Sequence, residues 1–274
     1  MATGAERMKL IEEQQQRIKE NLAKIKQRIV VFSGKGGVGK TTVAVNLAYA
    51  LAKRGNSVGL LDADITGPNV PQMIGLHELP QGTEDDRMVP PEKGGIKVIS
   101  LATLIPPDSP VIWRGPLRSQ ALDQFLGDVI WGELDYLVAD LPPGTGDEVL
   151  TMAQRMEPQL AVVVTTPQEL SLIDSRRAIN MAKKMGIAEI GVVENMSGLH
   201  CPECGHEIDL FGSGGGERAA EELGVHFLGR VPIDERAREG ADEGRPIILE
   251  DEEALVSLSL LRVADEVVKL TAGR

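Results

Sequence analysis

Hydrophobic residues along this chain follow two rhythms. One is a set of short runs that are apolar or β-branched at nearly every position: "RIVVFS" (28–33), "SVGLLDAD" (57–64), "IKVIS" (96–100), "YLVADL" (136–141), "LAVVVTT" (160–166), "IGVVEN" (190–195) and "HFLGRVP" (226–232). Strands apolar on both faces belong in a parallel sheet covered on both sides. The other rhythm is helical and mostly fills the gaps. "KTTVAVNLAYALAKRG" (40–55) predicts a helix stopped by Gly55. "EDEEALVSLSLLRVADEVVKL" (250–270) opens with acids suited to a helix N-terminus and puts Val256, Leu260, Val263, Ala264 and Val267 on one face. Residues 5–27 predict a leading amphipathic helix with Met8, Ile11, Ile18, Leu22 and Ile25 at helical spacing. "ELPQGTEDDRMVPPEKGG" (78–95) reads as a mobile surface loop.

The expected fold is therefore α/β: three layers, with a mostly parallel central sheet between helices, and a ligand at the carboxyl ends of the strands. Residues 1–27 form an extension and 28–274 one domain, without internal repeats. Composition narrows the function. The chain is 42% hydrophobic and 26% charged, with net charge −12. That acidity disfavours a nucleic-acid surface, which needs clustered Lys and Arg. No apolar run reaches the roughly 18 residues of a membrane span, and no signal core is visible, so the expectation is a cytoplasmic protein without a membrane partner.

The chemistry begins at "GKGGVGKTT" (34–42), between a strand and a helix. It satisfies the phosphate-loop pattern G-x-x-x-x-G-K-S/T, placing a P-loop NTPase architecture on the fold. Backbone N–H groups of Gly34, Lys35, Gly36, Gly37, Val38, Gly39, Lys40, Thr41 and Thr42 are positioned to surround phosphate oxygens, aided by the helix N-terminus. Lys40 would bridge the β- and γ-phosphates, and the Thr41 hydroxyl would ligate Mg²⁺. The magnesium side needs carboxylates at other strand ends: Asp62 and Asp64 in "LLDAD", and Asp140 in "YLVADL". Asp140 has the Walker-B profile, and Asp64 stands where an acid would orient the attacking water. The alternative for each acid is a capping or surface role. The chain lacks the N-K-x-D element expected for guanine.

The two cysteines, in "CPECG" (201–205), are too few for a disulfide scaffold and suggest metal or redox chemistry. The residues alone leave several readings open. Cys201 and Cys204 could form half of a zinc site completed by His206 or His200, a reducible disulfide, or an ordinary buried pair. A [4Fe–4S] cluster ordinarily takes four thiolates, which two copies of the chain around a two-fold axis would supply. The following "FGSGGGE" (211–217) reads as a flexible lead-in to a helix, with anion binding by the 212–216 glycines as the lesser possibility.

"GKGGVGKTT", "DADITGPNVP", "WRGP", "DLPPGTGD", "NMS" and "CPECG", in this order, resemble the Mrp-type iron–sulfur cluster carriers, deviant Walker-A ATPases of the ParA/MinD superfamily. The resemblance runs from about residue 28 to the C-terminus. It implies an ATP-hydrolysing homodimer that carries a labile [4Fe–4S] cluster on Cys201 and Cys204 within the 198–212 loop and transfers it to apo-proteins. It implies that Lys35 reaches the partner subunit's phosphates, and that Asn195, Pro232 and Asp234 surround the adenine. It favours the shared cluster over zinc and leaves His200 and His206 as bystanders. No role follows for Trp113–Pro116. Neither the four-cysteine N-terminal region nor the extra N-terminal domain of some relatives is expected. The rival readings are a positional ATPase of the ParA or MinD kind and a zinc-stabilised, nucleotide-dependent scaffold. A MinD-type anchor would be a basic C-terminal helix, whereas this one opens on acids.

Overall fold

The structure is a computed structural model and describes residues 4–64, 67–103, 115–201 and 203–272. Its strands are β1 (Ile25–Phe32), β2 (Val58–Asp62), β3 (Gln81–Gly82), β4 (Met88–Val89), β5 (Glu92–Lys93), β6 (Ile96–Ser100), β7 (Leu134–Asp140), β8 (Leu160–Thr165), β9 (Glu189–His200), β10 (Glu207–Ile208) and β11 (His226–Ile233). The α-helices are α1 (Gly4–Leu22), α2 (Lys40–Lys53), α3 (Val70–Ile74), α4 (Gly115–Gly127), α5 (Asp147–Met156), α6 (Glu169–Lys184), α7 (Gly215–Leu223), α8 (Glu235–Asp242), α9 (Ile247–Glu250) and α10 (Leu255–Thr271).

The main sheet runs β10-β9-β8-β1-β7-β2-β6-β5, with β11 also paired to β9. Its long strands are parallel; β5 and β10 add antiparallel edges. Side chains alternate between two cores, as the period of two requires. Ile29 and Val31 of β1 join Val138, Leu60 and Val162 beneath α2 and α10. Val30 and Phe32 join Leu137, Leu61 and Val163 beneath α4, α5 and α6. The three expected layers are present.

Strand β1 lies between β7 and β8, and the chain leaves it toward β2 but later crosses to β8 on its other side. This reversal of strand order opens a crevice at the carboxyl end of β1, where the glycine loop begins. No described helix is long and apolar enough to cross a membrane.

Several boundaries differ from the sequence reading. The leading helix ends at Leu22 rather than 27, and Ile25 is already strand. Burial alternates there, with Ile25, Gln27 and Ile29 buried between the less buried Lys26 and Arg28, and Gln27 Nε2 donates to Thr271 O at 3.1 Å. Ile18 and Leu22 pack on the body, whereas Met8 and Ile11 are exposed. Segment 78–95 is no plain loop: β3 pairs with β4, β5 lines the sheet edge, and Met88 bridges Val129. The acids at 250–253 precede α10 instead of filling its first turn, and Asp251 Oδ1 accepts the Glu253 and Ala254 N–H groups. Trp113, Arg114 and Pro202 lie outside the described residues.

Candidate functional site: a phosphate loop beside a cysteine hairpin

The glycine loop leaves β1 at Ser33 and enters α2 at Lys40. Gly34 is there for close approach: a Cβ on it would stand 2.2 Å from the Asp174 carbonyl oxygen of α6. Gly39 is left-handed (φ 78), which admits glycine with least strain, and it leads directly into α2. Val38 sends its side chain into the core. Lys35 is half-buried at the loop's mouth, its carbonyl accepting the Ser33 hydroxyl at 2.7 Å.

Lys40 is 6% exposed and lies among acids. Its Nζ is 2.6 Å from Asp140 Oδ1 and 3.6 Å from Asp64 Oδ2, while Thr41 Oγ1 donates to Asp140 Oδ2 at 2.7 Å. Parallel pairing sets Asp62 beside Asp140, the two being register partners at the ends of β2 and β7. Asp62 accepts from Asp64 N, Val70 N and Ser100 Oγ at 3.2, 3.2 and 2.9 Å. Burial, and then the neighbouring Asp140 charge, push its carboxyl up to about 8. Burial also raises the Asp140 pKa, against the pull of Lys40 and Thr41. Lys40 is thus compensated internally. Removing one partner of such a buried pair costs about 3–5 kcal/mol, because the other charge is left desolvated.

Above this cluster opens a cleft of about 850 Å³, whose walls include Gly36, Gly37, Gly39, Lys40, Thr41, Thr42 and Asp64 from the loop side. Asn195, Pro232 and Asp234 line its far side. Asn195 also braces the loop, donating from Nδ2 to Val38 O at 2.9 Å. Asp234 caps α8, accepting Arg236 N at 2.9 Å. Sequence reasoning missed the walls supplied by α3 (Gln72, Met73), by α8 (Ala237, Arg238, Ala241) and by Leu210 and Phe211. Only the Asn69-Val70-Pro71 helix start, with proline in its first turn, hinted at α3.

The cysteines sit at the tip of a hairpin formed by β9 and β10. Cys201 N donates to His206 O at 2.9 Å and Gly205 N to Cys201 O at 2.8 Å. Cys201 is half-buried and Cys204 exposed, which removes the reading of an ordinary buried pair. Backbone N–H groups of Cys204 and then Glu203 face the Cys201 sulfur and hold its thiol below the usual range. Among the described residues no three His, Cys, Asp or Glu side chains are grouped to hold a metal ion. One chain therefore presents a pair of thiols.

The glycines after the hairpin are not a flexible lead-in. The Gly214 and Gly216 N–H groups donate to the two carboxylate oxygens of Glu194 at 2.8 and 2.5 Å. What they cradle is the chain's own buried side chain.

The family profile of the NUBPL iron-transfer P-loop NTPases, of the ParA group, matches residues 24–268. A protein named iron–sulfur cluster carrier protein from Methanocaldococcus jannaschii is 51% identical over 97% of this chain and 92% of its own length. A solved structure of a nucleotide-binding protein from Archaeoglobus fulgidus, in complex with ADP, is 42% identical, covers 88% of this chain and 94% of its own, and superposes with TM-score 0.77. The cell-division ATPase MinD of Pyrococcus furiosus is 26% identical over 89% of this chain and 99% of its own, with TM-score 0.66. With a phosphate loop, its acids and a two-thiol hairpin on one doubly wound sheet, and with a profile match over most of its length, this chain belongs to the NUBPL iron-transfer family of P-loop NTPases.

Proposed function

We propose that the chain is a slow, Mg²⁺-dependent ATPase and iron–sulfur carrier: a homodimer that holds a labile [4Fe–4S] cluster on Cys201 and Cys204 of both copies and delivers it to apo-proteins. The observation that carries this reading is the half-finished ligand set. Two accessible thiols, one with a lowered pKa, project on a hairpin rooted beside the phosphate loop. Four thiolates complete a cluster, and a two-fold axis supplies them. Opening the dimer divides that set, which makes the cargo transferable.

The cleft's chemistry fits a nucleoside triphosphate with Mg²⁺. Lys40 is held by Asp140 and Asp64 until phosphate oxygens replace them as its counter-charges. Backbone N–H groups of residues 34–42 bind and orient the phosphates. Thr41 and Asp140, with Asp62 beside them, are the residues that would hold Mg²⁺, which when bound supplies charge neutralisation at the phosphates. Asp64 lies at the cleft wall on the side of Lys40, suited to orienting water. Asn195, Pro232 and Asp234 line the same cleft and are the residues assigned to the adenine ring. Lys35 adds a cation to the partner's phosphates as charge develops in the transition state, in the manner of an arginine finger. ATP binding and dimer geometry then form one equilibrium.

Anaerobic reconstitution tests the carrier. Wild type should hold about four iron and four sulfide per dimer, and Cys201→Ala should lose them. Stoichiometric zinc that resists exchange by iron would overturn the reading in favour of a zinc-stabilised scaffold.

A further inference from the structure

Glu194 is wholly buried, ionisable and unused by the chemistry above. It precedes Asn195 on β9, and strand alternation sends the two side chains to opposite faces. Asn195 reaches the phosphate loop through Val38 O, on the α2 side. Glu194 reaches Gly214 N, Gly216 N and Ser197 Oγ, on the α7 side. Between these anchors the chain makes one excursion, out along β9 through Cys201, round the hairpin, and back along β10 to the glycines.

We propose that Glu194 and Asn195 are positioning residues that couple occupancy of the phosphate loop to the exposure of Cys201 and Cys204. Glu194 ties together the two legs of the excursion at its base. Asn195 joins the outgoing leg to the loop, and Leu210 and Phe211 on the returning leg line the nucleotide cleft. Phosphates drawing the loop's N–H groups inward shift Val38 O, and Asn195 follows. Because Glu194 clamps the base, that displacement passes into residues 196–201 rather than dissipating in the glycines. The backbone there is already bent: Met196 is left-handed at φ 56, an unfavourable conformation for a long side chain. Its Cε also lies 3.6 Å from where a Cβ on Gly39 would stand. Both legs of the cysteine excursion therefore touch the cleft, and a single buried carboxylate holds them in register.

This inference rests on the ATP-binding reading, and its test needs no cluster. In the metal-free full chain, alkylation rates of Cys201 and Cys204 by iodoacetamide are measured by peptide mass spectrometry, with and without a saturating non-hydrolysable ATP analogue and Mg²⁺. Wild type should show a rate ratio of about fivefold or more between the two states. Glu194→Gln should bring the ratio close to one while a fluorescent-nucleotide titration still shows the site filled. Asn195 also lines the cleft, so Asn195→Ala is compared only at nucleotide concentrations that its own titration shows to be saturating, and there its ratio should likewise approach one. A merely structural role would change both rates and preserve the ratio. Ser197→Ala removes one donor to Glu194 and should lower the ratio partially, which keeps the test decisive if Glu194→Gln fails to fold. A wild-type ratio of one with nucleotide bound, or unchanged ratios in the variants, overturns the coupling. A wild-type chain that binds no nucleotide overturns the ATPase reading instead, and the titration reveals that before any labelling.

Discussion

The nucleotide cleft and the cysteine hairpin stand at opposite extremes of completeness. In the cleft, Lys40, Asp62 and Asp140 are almost fully buried, and each carries partners from the same chain. Taking charge from water is expensive: the Lys40–Asp140 contact offsets that cost, and Asp62 avoids it by keeping its proton. The hairpin is the reverse: backbone bonds shape it, and it presents two free thiols, one half-buried and one exposed. On the proposed reading, a single chain builds its phosphate site within itself and leaves its cargo site to be finished by a second copy. Lys35 is the proposed exception: it belongs to the loop by sequence but is half-buried, where Lys40 is buried among the acids.

The largest effect should come from that exception. Lys35→Ala is expected to slow ATP hydrolysis by roughly 10³-fold, as loss of an arginine finger does, while ATP affinity falls less than about tenfold. Steady-state turnover set against equilibrium binding reads the split, and equal losses would make Lys35 a ligand of its own site. A smaller effect probes the desolvated side of the comparison. Asp62 folds with its carboxyl pushed from 3.8 to about 8, so between those values the folded chain keeps a proton that the unfolded chain has released. Stability of the nucleotide-free protein should therefore fall as pH rises through that window, by on the order of a few kcal/mol. Asp62→Asn should flatten this slope in denaturant titrations, whereas Cys201→Ala, altering an accessible hairpin, should follow wild type. Parallel slopes for wild type and Asp62→Asn would show that the cleft does not hold the proton.

What could be read from the chain beforehand followed the range of the interactions. The sheet, its two covered faces and the loop residues are written in local patterns, and "RIVVFS" or "GKGGVGKTT" announces itself. Ile25 continues the helical spacing of Ile18 and Leu22, and only the burial of the polar Gln27 shows that the chain has already become a strand there. The Asn195–Val38 brace and the Glu194–Gly216 clamp join residues far apart in sequence, and nothing near Glu194 marks a buried carboxylate. The glycines at 214–216 read as flexibility because their N–H groups show no partner until β9 and α7 are docked. The cleft walls from α3 and α8 are likewise products of packing, with Gln72 Nε2 donating to Asp242 O at 3.0 Å.

The claim that the cargo site needs two chains can be tested by native mass spectrometry of the anaerobically reconstituted protein. The account predicts one cluster of about four iron and four sulfide on a species of two chains, with single chains free of cluster. Single chains that carry the whole cluster would contradict it.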